Sequence, residues 1–446
     1  MSPGEAYNQL LLQDEALVPS QAAALEEALA KAGVTFDGRP MRSFLRPHFV
    51  ERAAWGRFRD QGRRLLETAA RVARQAFDGD AKRLCAWLGL PEREARWVAL
   101  DPGPPDVVLS RLDAFLTPEG ARFIEINSDA PAGFGYGDRM AAVFRQLPAF
   151  RAFAARHRVD YLASSPALVA SVMDTWRRAG RPPAARQPAV AIVDFADVRT
   201  RPDQEILRQA FEAAGISCVL ADPRELALQG DRLLAADHAI DVVYRRAVLA
   251  ELMDREAEVR EFLEAYRRGA AVFVNSFRCH LSEDKAFLAL LQASEFSGLL
   301  SPGERALVRA VLPWTARLEE TRLERDGKMV DLLPWVLAER SRLVLKPAHG
   351  YGGRSVFVGD ETSPDAWEQA VAGGVGQAWI VQERIAIPEE RFPVVEGDRM
   401  LLESLKVNAN PFYVAGAEVG AVTRASRNSV INVSAGGGSV PTFVVG

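Results

Sequence analysis

The chain has 446 residues, of which 48% are hydrophobic and 26% charged, and its formal net charge is −4. That length supports two or three domains with substantial apolar cores, and the charge gives no electrostatic reason to expect nucleic acid or an anionic membrane as a partner. Three scattered cysteines, Cys85, Cys218 and Cys279, form no C-x-x-C pair and argue against a disulfide framework or a zinc site.

The first residues lack a basic start followed by an apolar run, so no signal peptide is read there. No apolar stretch reaches the roughly 18 residues of a spanning helix. The expected address is the cytoplasm.

Residues 1–100 are expected to be largely helical, because Ala22–Ala32 and Gln61–Phe77 carry apolar residues at helical spacing. Asp101–Pro105 is a break. A segment over 101–137 then holds a hairpin, with strands Val107–Phe115 and Arg122–Asn127 around the turn Thr117–Gly120. Helices follow over 138–187 as a connector. Over 188–275 the character changes. Strands Ala189–Phe195, Ile216–Ala221 and Ile240–Tyr244 alternate with the amphipathic helix Asp203–Ala214, which indicates a parallel α/β layer. Residues 276–446 begin with a helix at Glu283–Ala293. Strands at Arg342–Lys346, Ser355–Val358 and Trp379–Glu383 come next, then β-rich stretches at Asn410–Val422 and Val430–Val433. The expected class is α/β in the broad sense, mixed α+β.

Five segments carry chemistry. If the hairpin folds about Glu119, Asp113 faces Glu125 and Arg111 faces Asn127, and alternation puts all four side chains on one face. Opposed carboxylates repel unless a cation lies between them, and two carboxylates with an amide oxygen suit Mg²⁺. Arg111 beside them could stabilise a developing oxyanion. A solvated hairpin face fits the same pattern. In RLVLKPAHGYGGRSVFV, Lys346 ends a strand before the loop His349–Gly353. Glycines at 350, 352 and 353 let backbone amides approach phosphate oxygens; a flexible hairpin loop is the bland alternative.

In NSFRCHLSEDKAFLALL, Ser282 reads as an N-cap that puts Lys285 in the first helical turn, where a bound anion would offset the helix dipole. An exposed lysine at a helix end reads the same way. WIVQERI could line an apolar purine pocket through Gln382, Glu383 and Ile385, with Glu389 or Glu390 beyond it for ribose hydroxyls. Any buried strand end looks similar. In RASRNSVINVSAGGG, Arg424, Arg427 and Asn432 before Gly436 and Gly437 could hold phosphate oxygens or line a polar sheet edge.

Taken together, R-L-D at 111–113 and EINSDAP at 125–131 resemble the metal-binding segment of ATP-grasp enzymes. There it normally comes last in the chain; here it comes early. The chain therefore resembles the circularly permuted ATP-grasp branch, which includes the synthetase domain of glutathionylspermidine synthase. The resemblance covers residues from about 100 onward. It implies a permuted ATP-grasp fold with a pre-ATP-grasp Rossmann-like layer over 188–275 and an N-terminal helical region over 1–100.

It further implies ATP and two Mg²⁺ ions as cofactors. Asp113, Glu125 and Asn127 would be the metal ligands. Lys285, Lys346, Gly350, Gly352, Gly353, Gln382, Glu383, Ile385, Glu389 and Asn432 would hold the nucleotide, and Arg111 and Arg427 would be catalytic. Arg46, Asp129, Tyr244 and Arg245 are candidate substrate contacts. The expected reaction joins a small-molecule or peptide carboxylate to an amine through an acyl phosphate. A phosphotransferase and a catalytically silent nucleotide-binding module are the alternatives.

Overall fold

The computed structural model describes residues 1–100, 103, 105–180, 187–350, 355–397, 399–415, 419–431, 433 and 436–446. Its largest sheet runs in the spatial order His48–Glu51, Gly438–Val445, Ala421–Ser426, Arg399–Val414, Leu109–Thr117 and Gly120–Asn127. The early hairpin is thus hydrogen-bonded to a strand from the far end of the chain, Phe412 opposite Arg111. The strand at 48–51, which the helical reading of 1–100 passes over, pairs in parallel with 442–445. All but its last residue are buried, and tertiary pairing outweighs the helical character of its flanks.

Helix Arg52–Ala76 covers one face of this sheet. Its buried residues Trp55, Phe58, Gly62, Leu65, Ala69 and Val72 recur at helical spacing. Phe58 stacks on Phe123 of the hairpin at 5.6 Å between centroids. Gly62 is where helix and sheet come closest: a Cβ there would lie 1.8 Å from the Tyr413 hydroxyl.

A second, fully parallel sheet has the order Val272–Val274, Val242–Arg245, Val190–Val193 and Cys218–Ala221. Its central strands are buried on both faces, as their continuous apolar runs require. Asn275, just past this sheet, ties it to the hairpin. Its amide donates to the carbonyls of Leu109 and Ser128, both at 2.7 Å, and its oxygen accepts from the amides of Val108 and Leu109.

The third sheet is antiparallel: Thr315–Arg317, Trp379–Glu383, Leu343–Pro347 and Phe357–Val358. It packs a separate small core around Trp367, Leu343, Leu345 and Val381.

Three expectations change. The helix foreseen from Glu283 starts at Ala286, and Asp284, not Ser282, accepts its first free amide, at 2.7 Å. Residues 389–396 and 399–414 form a long hairpin that extends well before Asn410. Val430–Val433 is no strand among the described residues.

Candidate functional site

The hairpin register is the one the spacing predicts near its open end: Asp113 opposes Glu125 and Arg111 opposes Asn127. The turn is not centred on Glu119, however. Thr117 pairs with Gly120, and a bulge between Phe123 and Glu125 takes up Ile124 as an extra residue. Phe123 and Ile126 face the core. Strict alternation from Phe123 would have turned Glu125 inward as well; the bulge keeps it on the cavity face.

Asp113 is buried and accepts from Arg111 Nε at 2.8 Å and from the Asn127 amide at 3.0 Å. Arg424 Nη1 lies 3.4 Å from its other oxygen. Burial pushes the Asp113 carboxyl up, but Arg111 and Arg424 outweigh this and hold it below its ordinary range. The carboxylate of Glu125, directly across from Asp113, accepts no hydrogen bond from a described residue.

These groups share one cavity of about 440 Å³ with both lysines, the start of the glycine loop and the 382–385 segment. Lys285 Nζ donates to the Gly350 carbonyl at 2.7 Å. Lys346 Nζ donates to Gln382 Oε1 at 2.8 Å. Burial draws the Lys346 ammonium down to about 8, with Lys285 adding to the fall and Glu125 and Asp113 resisting it. Gln382 also reaches Thr315 Oγ1 at 3.0 Å and the Ile124 carbonyl at 3.4 Å. It therefore ties the antiparallel sheet to the bulge. Glu383 and Ile385 line the same cavity.

Several expected residues lie elsewhere. Arg427 is outside the cavity lining and exposed, bonded to Glu403 at 2.5 Å and Glu396 at 2.9 Å. It is Arg424, three residues earlier in the strand, that reaches the cavity. Glu389 is exposed and takes a hydrogen bond from Ser404 at 2.7 Å. Glu390 turns the other way, to Arg46 and to His48 at 3.2 Å. Burial pushes its carboxyl up, yet His48 and Arg46 bring it to about 2. Arg46 is consumed there: it also donates to the Arg391 carbonyl at 2.7 Å and lies 4.0 Å over the Phe392 ring.

Tyr244 belongs to the apolar core of the parallel layer, and its neighbour Arg245 is fully buried in an ion pair with Asp129 at 2.5 Å. Of these substrate candidates only Asp129 lines the cavity. Gly352, Gly353 and Asn432 fall outside the described residues.

Sequence reasoning missed the cluster at the Asp129 end of the cavity. His280 sits between Glu94 Oε2 at 3.1 Å and Asp129 Oδ2 at 3.4 Å. Burial opposes its charge, but both carboxylates favour it and bring the imidazole to about 10. Burial pushes Asp129 up; Arg245 and His280 reverse that and hold it well below its usual range. His349 Nδ1 meets Asp284 at 2.6 Å. Glu283 uses Oε2 to accept from the amide of Asp129 at 2.9 Å and from that of Ser128. The local signal was one histidine beside two acids in H-L-S-E-D at 280–284.

A family profile described as circularly permuted ATP-grasp type 2 matches residues 105–426. The chain belongs to that family. Membership implies ATP-dependent ligase-type chemistry, and the family typically uses ATP and Mg²⁺ and joins carboxylates to amines.

Among solved structures, a glutathione synthetase-like effector from Globodera pallida, in its apo form, is similar over 97% of this chain and 98% of its own. It shows 12% identity and a TM-score of 0.64. At that identity the likeness shows the fold. A putative gamma-glutamylcysteine synthetase from Methylobacillus flagellatus KT overlaps 86% of this chain and 85% of its own, at 10% identity and a TM-score of 0.42. A search of curated protein sequences found no match. No helix among the described residues is long and apolar enough to cross a membrane.

Proposed function

We propose that the protein is an ATP- and Mg²⁺-dependent ligase that joins a carboxylate to an amine, releasing ADP and phosphate. The observation that carries this reading is that the Asp113–Glu125–Asn127 face and the two lysines, 158 and more residues further along, line one cavity.

The donor set fits magnesium. Two opposed carboxylates and an amide, with Glu125 lacking a hydrogen-bond donor, supply a few hard oxygens and leave positions for phosphate oxygens and water. Among the described residues no group of three or more His, Cys, Asp and Glu side chains stands at metal-ligand spacing. Zinc-type coordination therefore has no support.

Lys285 and Lys346 would bind phosphate oxygens, with the carbonyl of Gly350 and the amide of Gln382 as their partners until then. The apolar side chains of Val344, Val358, Ile385 and Ile387 at the other end suit a purine face. Bound Mg·ATP would supply the phosphoryl group that turns an unreactive carboxylate into an acyl phosphate. Arg111 and Arg424, both held at Asp113, are placed to stabilise negative charge on the transferred group. Arg424 takes the role first expected of Arg427.

A screen of ADP release against pooled carboxylates and amines tests the reading, with mass spectrometry of the products. ADP with a new amide supports it. A phosphorylated product without an amide would make the protein a phosphotransferase. Nucleotide binding with no turnover in any pool would make it a silent binding module.

A further inference from the structure

The Asp129 end of the cavity holds several groups that could take a proton, and all but one are already committed. Asp129 receives Arg245, His280 and the Leu249 amide. Glu94 is engaged by His280, itself a cation at neutral pH. Asp284 holds His349 and the Ala286 amide. Asp113 and Glu125 line the same cavity but belong to the proposed metal set. Glu283 differs. Its Oε2 is fixed by two consecutive backbone amides directly after Asn127, while its Oε1 bonds to no described residue. It lines the cavity with Arg111 and Lys285.

From this geometry we propose that Glu283 is the proton acceptor for the incoming amine, and that the acceptor enters at the Asp129 end. The proposal rests on the ligase reading above. The amine arrives as an ammonium at neutral pH; Glu283 Oε1 takes one of its protons, and the freed nitrogen lone pair forms the bond to the acyl carbon. The carbon–oxygen bond to phosphate breaks, its electron pair leaves on phosphate, that phosphate takes the second proton lost from nitrogen, and Glu283 releases the first to solvent. The carboxylate is restored, and the products are an amide and inorganic phosphate.

The environment suits that task. Burial first, then the charges of Asp129 and Glu125, push the Glu283 carboxyl up to about 7, while the two backbone amides resist the shift. A base that titrates near the working pH is the most effective kind. Lys285, His280, Arg111, Lys346, His349 and Arg424 line the same cavity as cations or groups that can become so, and Arg245 stands behind Asp129.

Glu283→Gln is the variant to use, because its amide oxygen can still accept from Ser128 and Asp129. Two arms test the proposal. In the first, infrared difference spectra of wild type against Glu283→Gln follow the carboxyl with pH, and no substrate is needed. A titration near neutrality that the variant lacks is expected; titration in the ordinary carboxylate range overturns the proposal.

The second arm uses the carboxylate found in the ADP-release screen. With a primary amine, kcat of Glu283→Gln should fall about 10²-fold, with KM for ATP unchanged. With hydroxylamine, whose nitrogen is unprotonated and nucleophilic at neutral pH, the variant should approach wild type. An unchanged kcat with the amine, or an equal loss with both acceptors, overturns it. A neutral titration in a protein that never releases ADP would sink the ligase reading instead.

Discussion

Glu125 and Asp113 stand opposite each other with two arginines attached to one and no donor attached to the other. Removing Glu125 therefore breaks no recorded hydrogen bond. Glu125→Ala is expected to abolish ATP turnover while the far-ultraviolet dichroism spectrum stays that of the wild type. Full ADP release by this variant with a validated substrate pair would end the metal assignment. Lys346→Ala should weaken nucleotide binding at least about tenfold, the order expected for one lost charged hydrogen bond; an unchanged dissociation constant in calorimetry would contradict it.

His280 supplies a pH test. Its folded value, about 10, lies above the ordinary 6.5. Its contribution to stability is therefore complete below about 6.5 and disappears as pH rises through 10. Urea unfolding should show wild type losing up to about 5 kcal/mol across that window through this residue, and His280→Gln should flatten the dependence. At this scale the sequence was informative where partners are neighbours in one hairpin, as with Asp113 and Asn127. It was silent where they are distant. Arg46 meets Glu390 from 344 residues away, and Arg245 meets Asp129, so two arginines that looked available for substrate are buried in structural pairs.

Between elements, Asn275 decides how the parallel layer meets the hairpin. It makes four hydrogen bonds to backbone groups of residues 108, 109 and 128. Asn275→Ala would strand these buried groups and is expected to cost about 2–4 kcal/mol in chemical denaturation. A loss under about 0.5 kcal/mol would show that water replaces the side chain. Gly62→Leu should be similarly disruptive, since no room exists between helix 52–76 and Tyr413.

Apolar alternation made the hairpin legible, yet the bulge at Ile124 was not. A simple count to the turn centre gave the right facing pairs because the extra residue and the off-centre turn cancel. The helix at Ala286 was misplaced because Ser282 reads as a cap, whereas 280–284 packs against the hairpin, Lys285 occupies the cap position and Asp284 accepts the Ala286 amide.

On the scale of the whole molecule, the antiparallel sheet that carries Gln382 and the hairpin at 109–127 meet at the hydrogen bond from Gln382 to the Ile124 carbonyl. A ligand held by both should stabilise the folded chain as its concentration rises, by about 2.7 kcal/mol at one hundred times its dissociation constant. Thermal unfolding with Mg·ATP should show this rise; a melting temperature indifferent to nucleotide would contradict a shared site.

The mixed α/β class and the presence of a parallel layer followed from strand–helix alternation, whereas the order of its strands did not. The pairing of residues 48–51 with 442–445 could not follow, because nothing local in either stretch names its partner.

That pairing has a consequence for synthesis. As the chain leaves the ribosome, the strand at 48–51 lacks its partner until residues 442–445 emerge, and the hairpin at 109–127 waits for 412–414. The principal sheet can thus close only after residues 438–445 have emerged, and until then its open edges invite association with other nascent copies.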